Sequence, residues 1–457
     1  MESNKGILFE KARLIIKEAE KLGATQSQVT ITLADTALTR LANSIIDQNV
    51  ADRRSLISIV LYFNQRKGTV AVEVFDDNAL REATESAAKI AKVSPENKDF
   101  KSLPTPLPYS AKLKDAELVD ISTVNATPEK RAEYAEKIIS TAHDVDSRIK
   151  AVAGAVSNST VERVIVNSLG VEAYDAGTRA NVNLTIMAED EKEETAGWCQ
   201  DIRRGFDDLQ IENVSKIAAQ KAADGFGMKV IEPGDYELIL EPAAVGGFGL
   251  FLGYYAFSAR AYQDYLSFLR DRIGEKLFSE KYSLWDDALD ERFARPARFD
   301  AEGYPKSRLD LVKDGVVKNI VYDTLTAGKD GVESTGHQAS SLSSTPMPQH
   351  QVVQEGNSNI EEMISETKNG ILVTHFHYQN AVDPTKGMYT GLTRDGAWFI
   401  KNGEIQYPLR TLRYTDAAPR FFREIDLIGK YSTPRTSDSI VPPMKLPSFR
   451  ITGTTKE

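Results

Sequence analysis

Residues 236–259 read YELILEPAAVGGFGLFLGYYAFSA, and how this stretch folds decides the architecture of the chain. Tyr236–Leu240 reads as a strand that runs, through Glu241-Pro242, into an apolar helix rich in glycine. From Pro242 to Ala259 the sequence carries no charge over 18 residues, the lower limit for crossing a bilayer. Gly246, Gly247, Gly249 and Gly253 and the lack of a basic cluster before it favour a buried helix over a membrane span. Its small residues allow close backbone approach.

Around this helix the C-terminal part reads as β-rich. Asp314-Gly315 joins the runs Arg308–Val312 and Val316–Tyr322, and Asn402-Gly403 joins Trp398–Ile400 to Ile405–Tyr407. Both dipeptides accept the positive φ that two-residue hairpins demand. Residues 334–348, dense in Ser, Thr and Pro, read as a long flexible loop. Upstream, residues 6–22 have helical apolar spacing ended by Gly23. The alternation of Val29, Ile31 and Leu33 predicts a strand, Leu56–Phe63 and Thr69–Val74 a hairpin, and Asp77 a helix cap. Pro95, Pro104, Pro106 and Pro108 mark a linker. Thr127-Pro128 then opens a second helix, followed by strands over 152–156, 161–166 and 181–187 and an alanine-rich helix over 211–224. The acidic run Glu189–Glu194 reads as a solvated hairpin tip.

The expected fold is therefore α+β. An N-terminal α+β domain spans 1–95, with a hairpin and helices, and a Pro-rich linker covers 96–112. A central α+β domain spans 113–230. A β-rich C-terminal domain with one buried glycine-rich helix spans 231–430, and 431–457 reads as a disordered tail.

Composition limits function. The formal net charge of −10 opposes backbone-tracking nucleic-acid binding, which needs a basic face. It also opposes attachment to anionic membranes. Charges interrupt the apolar stretches of the N-terminus, so it does not read as a signal peptide. The single cysteine, Cys199, fits a reducing compartment, and the expectation is a cytoplasmic protein. No nucleophile elbow, P-loop or dinucleotide fingerprint is present. His375 and His377, two apart in the strand ILVTHFHY, share a face and could bind zinc if a third ligand arrived from elsewhere. His337 lies near Ser340, Ser341, Ser343 and Ser344, an adjacency expected in any Ser-rich loop.

The order of segments resembles the TldD/PmbA (TldD/TldE) family. It rests on LTRLANSIIDQN at 38–49, YELILEPAAVGGFG at 236–249, DRIGEKLFS at 271–279, PMPQHQVVQEGNSNIEEMI at 346–364 running into NGILVTHFHY at 369–378, and YTGLTRDGAWFIKNGEIQYPLRTLR at 389–413. Catalytic TldD-type members carry H-E-x-x-x-H on the helix after the strand, with two histidines on zinc and glutamate as general base. Laid on this chain without gaps, those positions fall on Leu250, Phe251 and Tyr255, and the further cysteine ligand near the C-terminus is absent. The resemblance then implies a PmbA/TldE-like, non-catalytic subunit with no cofactor of its own. It would pair, as a heterodimer or larger assembly, with a zinc-bearing TldD-like partner acting on peptides or unfolded proteins. Substrate contacts are expected at Tyr389, Thr390, Thr393, Arg394 and Asp395, with Ile371–Tyr378 as an edge strand able to hold an extended peptide. Two other readings stay open: a metallopeptidase active in its own right through His375 and His377, and a non-proteolytic binding or regulatory protein.

Overall fold

The computed structural model describes residues 4–114 and 118–454. Helix α1 (Lys5–Lys21) buries Leu8, Ala12, Ile15, Ile16 and Ala19, and Gly23 ends it with a φ of 86°. Strands β1 (Gln26–Ala42), β2 (Ile45–Phe63) and β3 (Arg66–Val72) follow in an antiparallel meander. Helix α2 (Asp77–Val93) comes next, capped not by Asp77 but by Asp76, whose carboxylate accepts from the amides of Asn78 and Ala79. Helix α3 (Pro128–His143) begins as expected, with Thr127 accepting from the Lys130 amide. Strands β4 (Ile149–Asn167), β5 (Glu172–Glu189) and β6 (Glu194–Arg203) and helix α4 (Ile211–Ala223) complete this part.

The segments 1–95 and 113–230 do not make separate sheets. β1 pairs with β4 from Gln28↔Asn167 to Leu41↔Gly154, giving one six-stranded sheet of order β3-β2-β1-β4-β5-β6. Alternation along the strands sorts its two faces. Val164 and Val166, Tyr174 and Ala176 pack under α1 and α2, whereas Val152 and Val156, Ala180, Val182 and Leu184 pack under α3 and α4. Because these positions share parity on β4 and on β5, all four helices cover the same face. The opposite face carries Arg163, Asp175 and Arg179 and is left for the C-terminal part.

The Pro-rich stretch is a packed strap rather than a free linker. Phe100 stacks on Tyr62 with ring centroids 3.7 Å apart, and the Leu103 amide donates to Gln26 Oε1 at 2.7 Å. Asn167 donates to the Pro104 carbonyl at 2.8 Å. An extended chain with few amide donors is stable there because side chains of the sheet satisfy its polar groups.

In the C-terminal part, β7 (Gly234–Leu240) leads into α5 (Pro242–Phe251), which passes into a π-helical turn at Leu252–Ala256. A small sheet holds β8 (Leu284–Asp286), β9 (Leu309–Lys313), β10 (Val316–Val317) and β13 (Gln351–Val353). Between them, the expected flexible loop 334–348 contains a short hairpin of β11 (Gln338–Ser340) and β12 (Ser343–Pro346) and buries His337. The larger sheet comprises β14 (Asn369–Asp383), β15 (Met388–Lys401), β16 (Glu404–Pro408), β17 (Leu412–Ala417), β18 (Leu427–Ile428) and β19 (Met444–Thr454) together with β7. Its order β14-β7-β19-β17-β15 closes, because β14 also pairs with β15. Both hairpin dipeptides have the expected positive φ, 50° and 79° at Asp314-Gly315 and 52° and 83° at Asn402-Gly403.

Two expectations are corrected here. The supposed disordered tail supplies β19, with Leu446, Phe449 and Ile451 buried in the barrel and residues 444–446 paired to β7; residues 455–457 lie outside the described residues. The expected edge over Ile371–Tyr378 holds only for its second half: Ile371–Val373 pair with both β7 and β15, whereas His375–His377 pair with β15 alone.

Candidate functional site

Helix α5 lies against the barrel by one face. Ala244, Val245, Phe248 and Leu252 are buried, and Phe248 enters the barrel core, its ring 4.9–6.2 Å from those of Phe376, Tyr414, Phe421, Phe422 and Phe449. The opposite face is open, so the helix is not buried all round: Leu250 is 56% and Tyr254 46% exposed. Glycine is needed where Gln351 lies flat on the helix. A Cβ at Gly249 would stand 2.8 Å from Gln351 Oε1, while Gln351 Nε2 donates to the Gly249 carbonyl at 2.9 Å.

Leu250, Phe251 and Tyr255 occupy the junction between the α-helix and the π turn. Residues five apart on an α-helix diverge by about 140°; i→i+5 hydrogen bonding reduces that divergence. The Phe257 amide donates to the Leu252 carbonyl at 2.9 Å in this pattern. The backbone therefore has a shape suited to a five-residue ligand pair, but the side chains are apolar or aromatic. Phe251 stacks on Tyr255 at 6.4 Å and packs on Tyr389 at 5.5 Å. Zinc needs Cys, His, Asp or Glu donors, and these three side chains do not fit it.

On the outer wall of the barrel a β-bulge decides where the histidines point. Ile371 and Val373 face the core, and simple alternation would send His375 after them. The register of β14 shifts between Val373 and His375, which places Phe376 against Phe248 and turns His375 and His377 outward. His375 meets the ring of Trp198 on β6 at 4.4 Å, and its Nε2 lies 3.5 Å from Asp395 Oδ2. Its Nδ1 is buried without a partner among the described residues. Burial, then the charges of Lys221 and Arg394, push its pKa down to about 3, so the ring is neutral at pH 7. Burial raises the pKa of Asp395, against the opposing pull of Arg394. Among the described residues no group of three or more His, Cys, Asp or Glu side chains is placed to hold a metal ion, so His375 and His377 lack the third ligand.

His377, Thr393, Arg394 and Asp395 line one cavity of about 550 Å³, between the barrel wall and the end of β6. Its size is that of a ligand site. Asp395, with φ of 51°, and Gly396 form a kink that turns Arg394 outward. The other two expected contacts are elsewhere. Tyr389 is fully buried against Phe251 with its hydroxyl unpartnered among the described residues. Thr390 is tied into the barrel ladder, donating to the Tyr414 carbonyl at 2.7 Å.

Sequence reading missed a second set of ionisable groups. Asp286, fully buried, accepts from His337 Nε2 at 3.1 Å, Lys306 at 3.2 Å and the His350 amide at 2.7 Å. Burial alone would raise its pKa, but Lys306 and His337 hold it below the usual carboxylate range. His337 Nδ1 faces Thr335 Oγ1, which also bonds the Tyr322 backbone, so both ring nitrogens already face a partner. Burial lowers the pKa of both His337 and His350, the latter to about 4. Glu302 is pushed up to about 8 by burial and by Asp300 and Asp323. No local spacing announces these partners; Asp286 and His337 are 51 positions apart.

The comparisons with known proteins agree in direction. Residues 123–225 match the PmbA/TldA metallopeptidase central domain and residues 233–453 its C-terminal domain. The metalloprotease PmbA of Escherichia coli O157:H7 is 24% identical over 85% of each chain. An uncharacterized protein of Methanocaldococcus jannaschii is 25% identical over 57% of this chain, which spans 60% of that relative's length. The crystal structure of TldE from Thermococcus kodakarensis superposes with a TM-score of 0.88 at 24% identity, covering 97% of this chain and all of that one. The last likeness establishes the fold.

Proposed function

Because the chain belongs to the PmbA/TldA metallopeptidase family, we propose that it serves there as a non-catalytic subunit of the PmbA/TldE kind. Its partner is a zinc-bearing relative, and the assembly is a cytosolic peptidase acting on peptides or unfolded protein. One observation supports this reading: the uncharged helix over Pro242–Phe251 and its π turn carry Leu250, Phe251 and Tyr255 at the positions on which the family's H-E-x-x-x-H pattern falls when laid on this chain without gaps, and none is an imidazole or a carboxylate. Phe251 and Tyr255 pack on each other while Leu250 is exposed, which suits a surface for assembly rather than for metal binding. The cavity beside His377, Thr393, Arg394 and Asp395 is the surface through which this subunit grips substrate. Arg394 supplies a charged fork for a peptide carboxylate or carbonyl. Tyr389 and Thr390 act only as barrel wall.

The test is to purify the chain alone and with a family member that carries H-E-x-x-x-H. Zinc content, complex formation by size-exclusion chromatography and peptide cleavage are then measured. The expected result is no bound zinc and no cleavage alone, with a stable complex and cleavage on mixing. Stoichiometric zinc together with unaided cleavage would overturn the assignment.

A further inference from the structure

A second cavity, of about 530 Å³, lies between the helix-free face of the six-stranded sheet and the 293–306 segment of the C-terminal part. Its wall is unlike the rest of an acidic chain: it holds five cations, Arg163, Arg179, Arg295, Lys306 and Arg435, against three carboxylates, Asp175, Asp300 and Asp438. Most of these charges are already committed. Arg163 pairs with Asp175 at 2.7 Å, Arg179 with Asp438 at 2.7 Å, and Lys306 with Asp286 at 3.2 Å. Asp300 accepts three backbone amides, from Glu302, Tyr304 and Gln338.

Arg295 and Arg435 are left over. Neither guanidinium has an ion-pair partner among the described residues, although both stand in the same wall. Burial lowers the pKa of Arg295, and the charges of Arg163 and Arg179 lower it further against Asp175. Burial, Arg203 and Arg292 do the same to Arg435, against the pull of Asp201 and Asp290. The nearby acids, Asp175, Asp201 and Asp290, are paired with Arg163, Arg203 and Arg292, and a planar fork of donors is the group best shaped to take two anionic oxygens. A cavity of this volume admits a compact ligand.

We propose that this cavity binds a small polyanion, a compact molecule carrying two or more carboxylate or phosphate groups, with Arg295 and Arg435 as its forks and Arg163 and Arg179 as flanking charge. The site is separate from the cavity beside His377 and does not depend on the subunit role.

Isothermal titration calorimetry of the full chain at low salt, with pyrophosphate and with citrate as probes, tests it. The expected result is saturable 1:1 binding of at least one probe, weakened by added salt and at least tenfold by Arg295→Gln or Arg435→Gln. Arg54→Gln, on the exposed part of β2, leaves it unchanged. Pyrophosphate alone would assign phosphate chemistry, citrate alone a carboxylate ligand, and both a general polyanion site. Since Asp175 is already paired with Arg163, and Arg163 and Arg179 repel Arg295, unliganded Arg295→Gln should melt no lower than the parent, and Arg295→Lys should keep part of the affinity. No binding of either probe at millimolar concentration, or binding indifferent to both substitutions, overturns the proposal.

Discussion

Lowering the pH from 8 to 5 should carry this protein over a stability maximum near pH 6.5. Three histidines are held neutral in the fold: His337, His350 with a pKa of about 4 and His375 with one of about 3. In the unfolded chain they take up protons near the ordinary value of 6.5, so below that pH the unfolded state binds more protons and stability falls. Each contributes up to about 1.4 kcal/mol per pH unit, so His350 and His375 together withdraw about 1 kcal/mol between pH 8 and 6.5 and about 3 kcal/mol more between pH 6.5 and 5, and His337 acts in the same direction. Glu302 opposes them. Its carboxyl is raised from 4.5 to about 8, so folding takes up a proton and stability is lost as pH climbs between those values. Going from pH 8 to 6.5 returns about 2 kcal/mol, and from 6.5 to 5 another 2 kcal/mol. The net is a rise of at most about 1 kcal/mol and then a fall of at least about 1 kcal/mol. Urea unfolding followed by circular dichroism at pH 8, 6.5 and 5 reads this directly. Glu302→Gln should flatten the alkaline limb, and His350→Asn should make the acid limb shallower by up to about 1.4 kcal/mol per pH unit. Stability that is flat, or that rises steadily toward pH 5, would refute the reasoning.

Phe248→Ala should cost about 3–5 kcal/mol, because it empties the centre of a six-ring cluster; a loss below 1 kcal/mol in denaturant titration would show that the barrel collapses around the gap. Tyr389→Phe removes a buried hydroxyl with no partner among the described residues and should raise stability by about 1 kcal/mol; a lower melting temperature would mean that the hydroxyl is bonded. Cys199 is buried, and burial pushes its thiol up to about 12, so a disulfide reagent at pH 8 should label it only after unfolding. Rapid labelling of the native protein would contradict that placement.

Local chemistry was legible in the amino-acid sequence. Asp314-Gly315 and Asn402-Gly403 make the turns their φ angles require, Thr127 caps α3, and the strand over 236–240 enters its glycine-rich helix. What escaped reading depends on partners far apart. Nothing in 26–42 says that β1 will meet β4 more than a hundred residues later and merge two expected units into one sheet. Thr374 carries no local sign of the bulge that sends His375 outward. Polar spacing in 431–457 resembles a tail until Leu446, Phe449 and Ile451 are seen inside the barrel. Of the site residues, Thr393, Arg394 and Asp395 share a cavity because a two-residue kink keeps neighbours together. Tyr389 and Thr390 are lost from it because the strand enters the barrel there. Arg163, Arg179, Arg295 and Arg435 had no spacing to betray them.

The position of β19 between β7 and β17 has a consequence for biosynthesis. β7 emerges from the ribosome about 200 residues before the strand that completes its pairing, a delay of roughly 10–40 s at ordinary elongation rates. The six-stranded sheet can form during that interval, whereas the barrel must wait with an unsatisfied flank. A nascent chain halted before Met444 should therefore carry a folded N-terminal half and an aggregation-prone remainder, the state that a chaperone would be expected to hold.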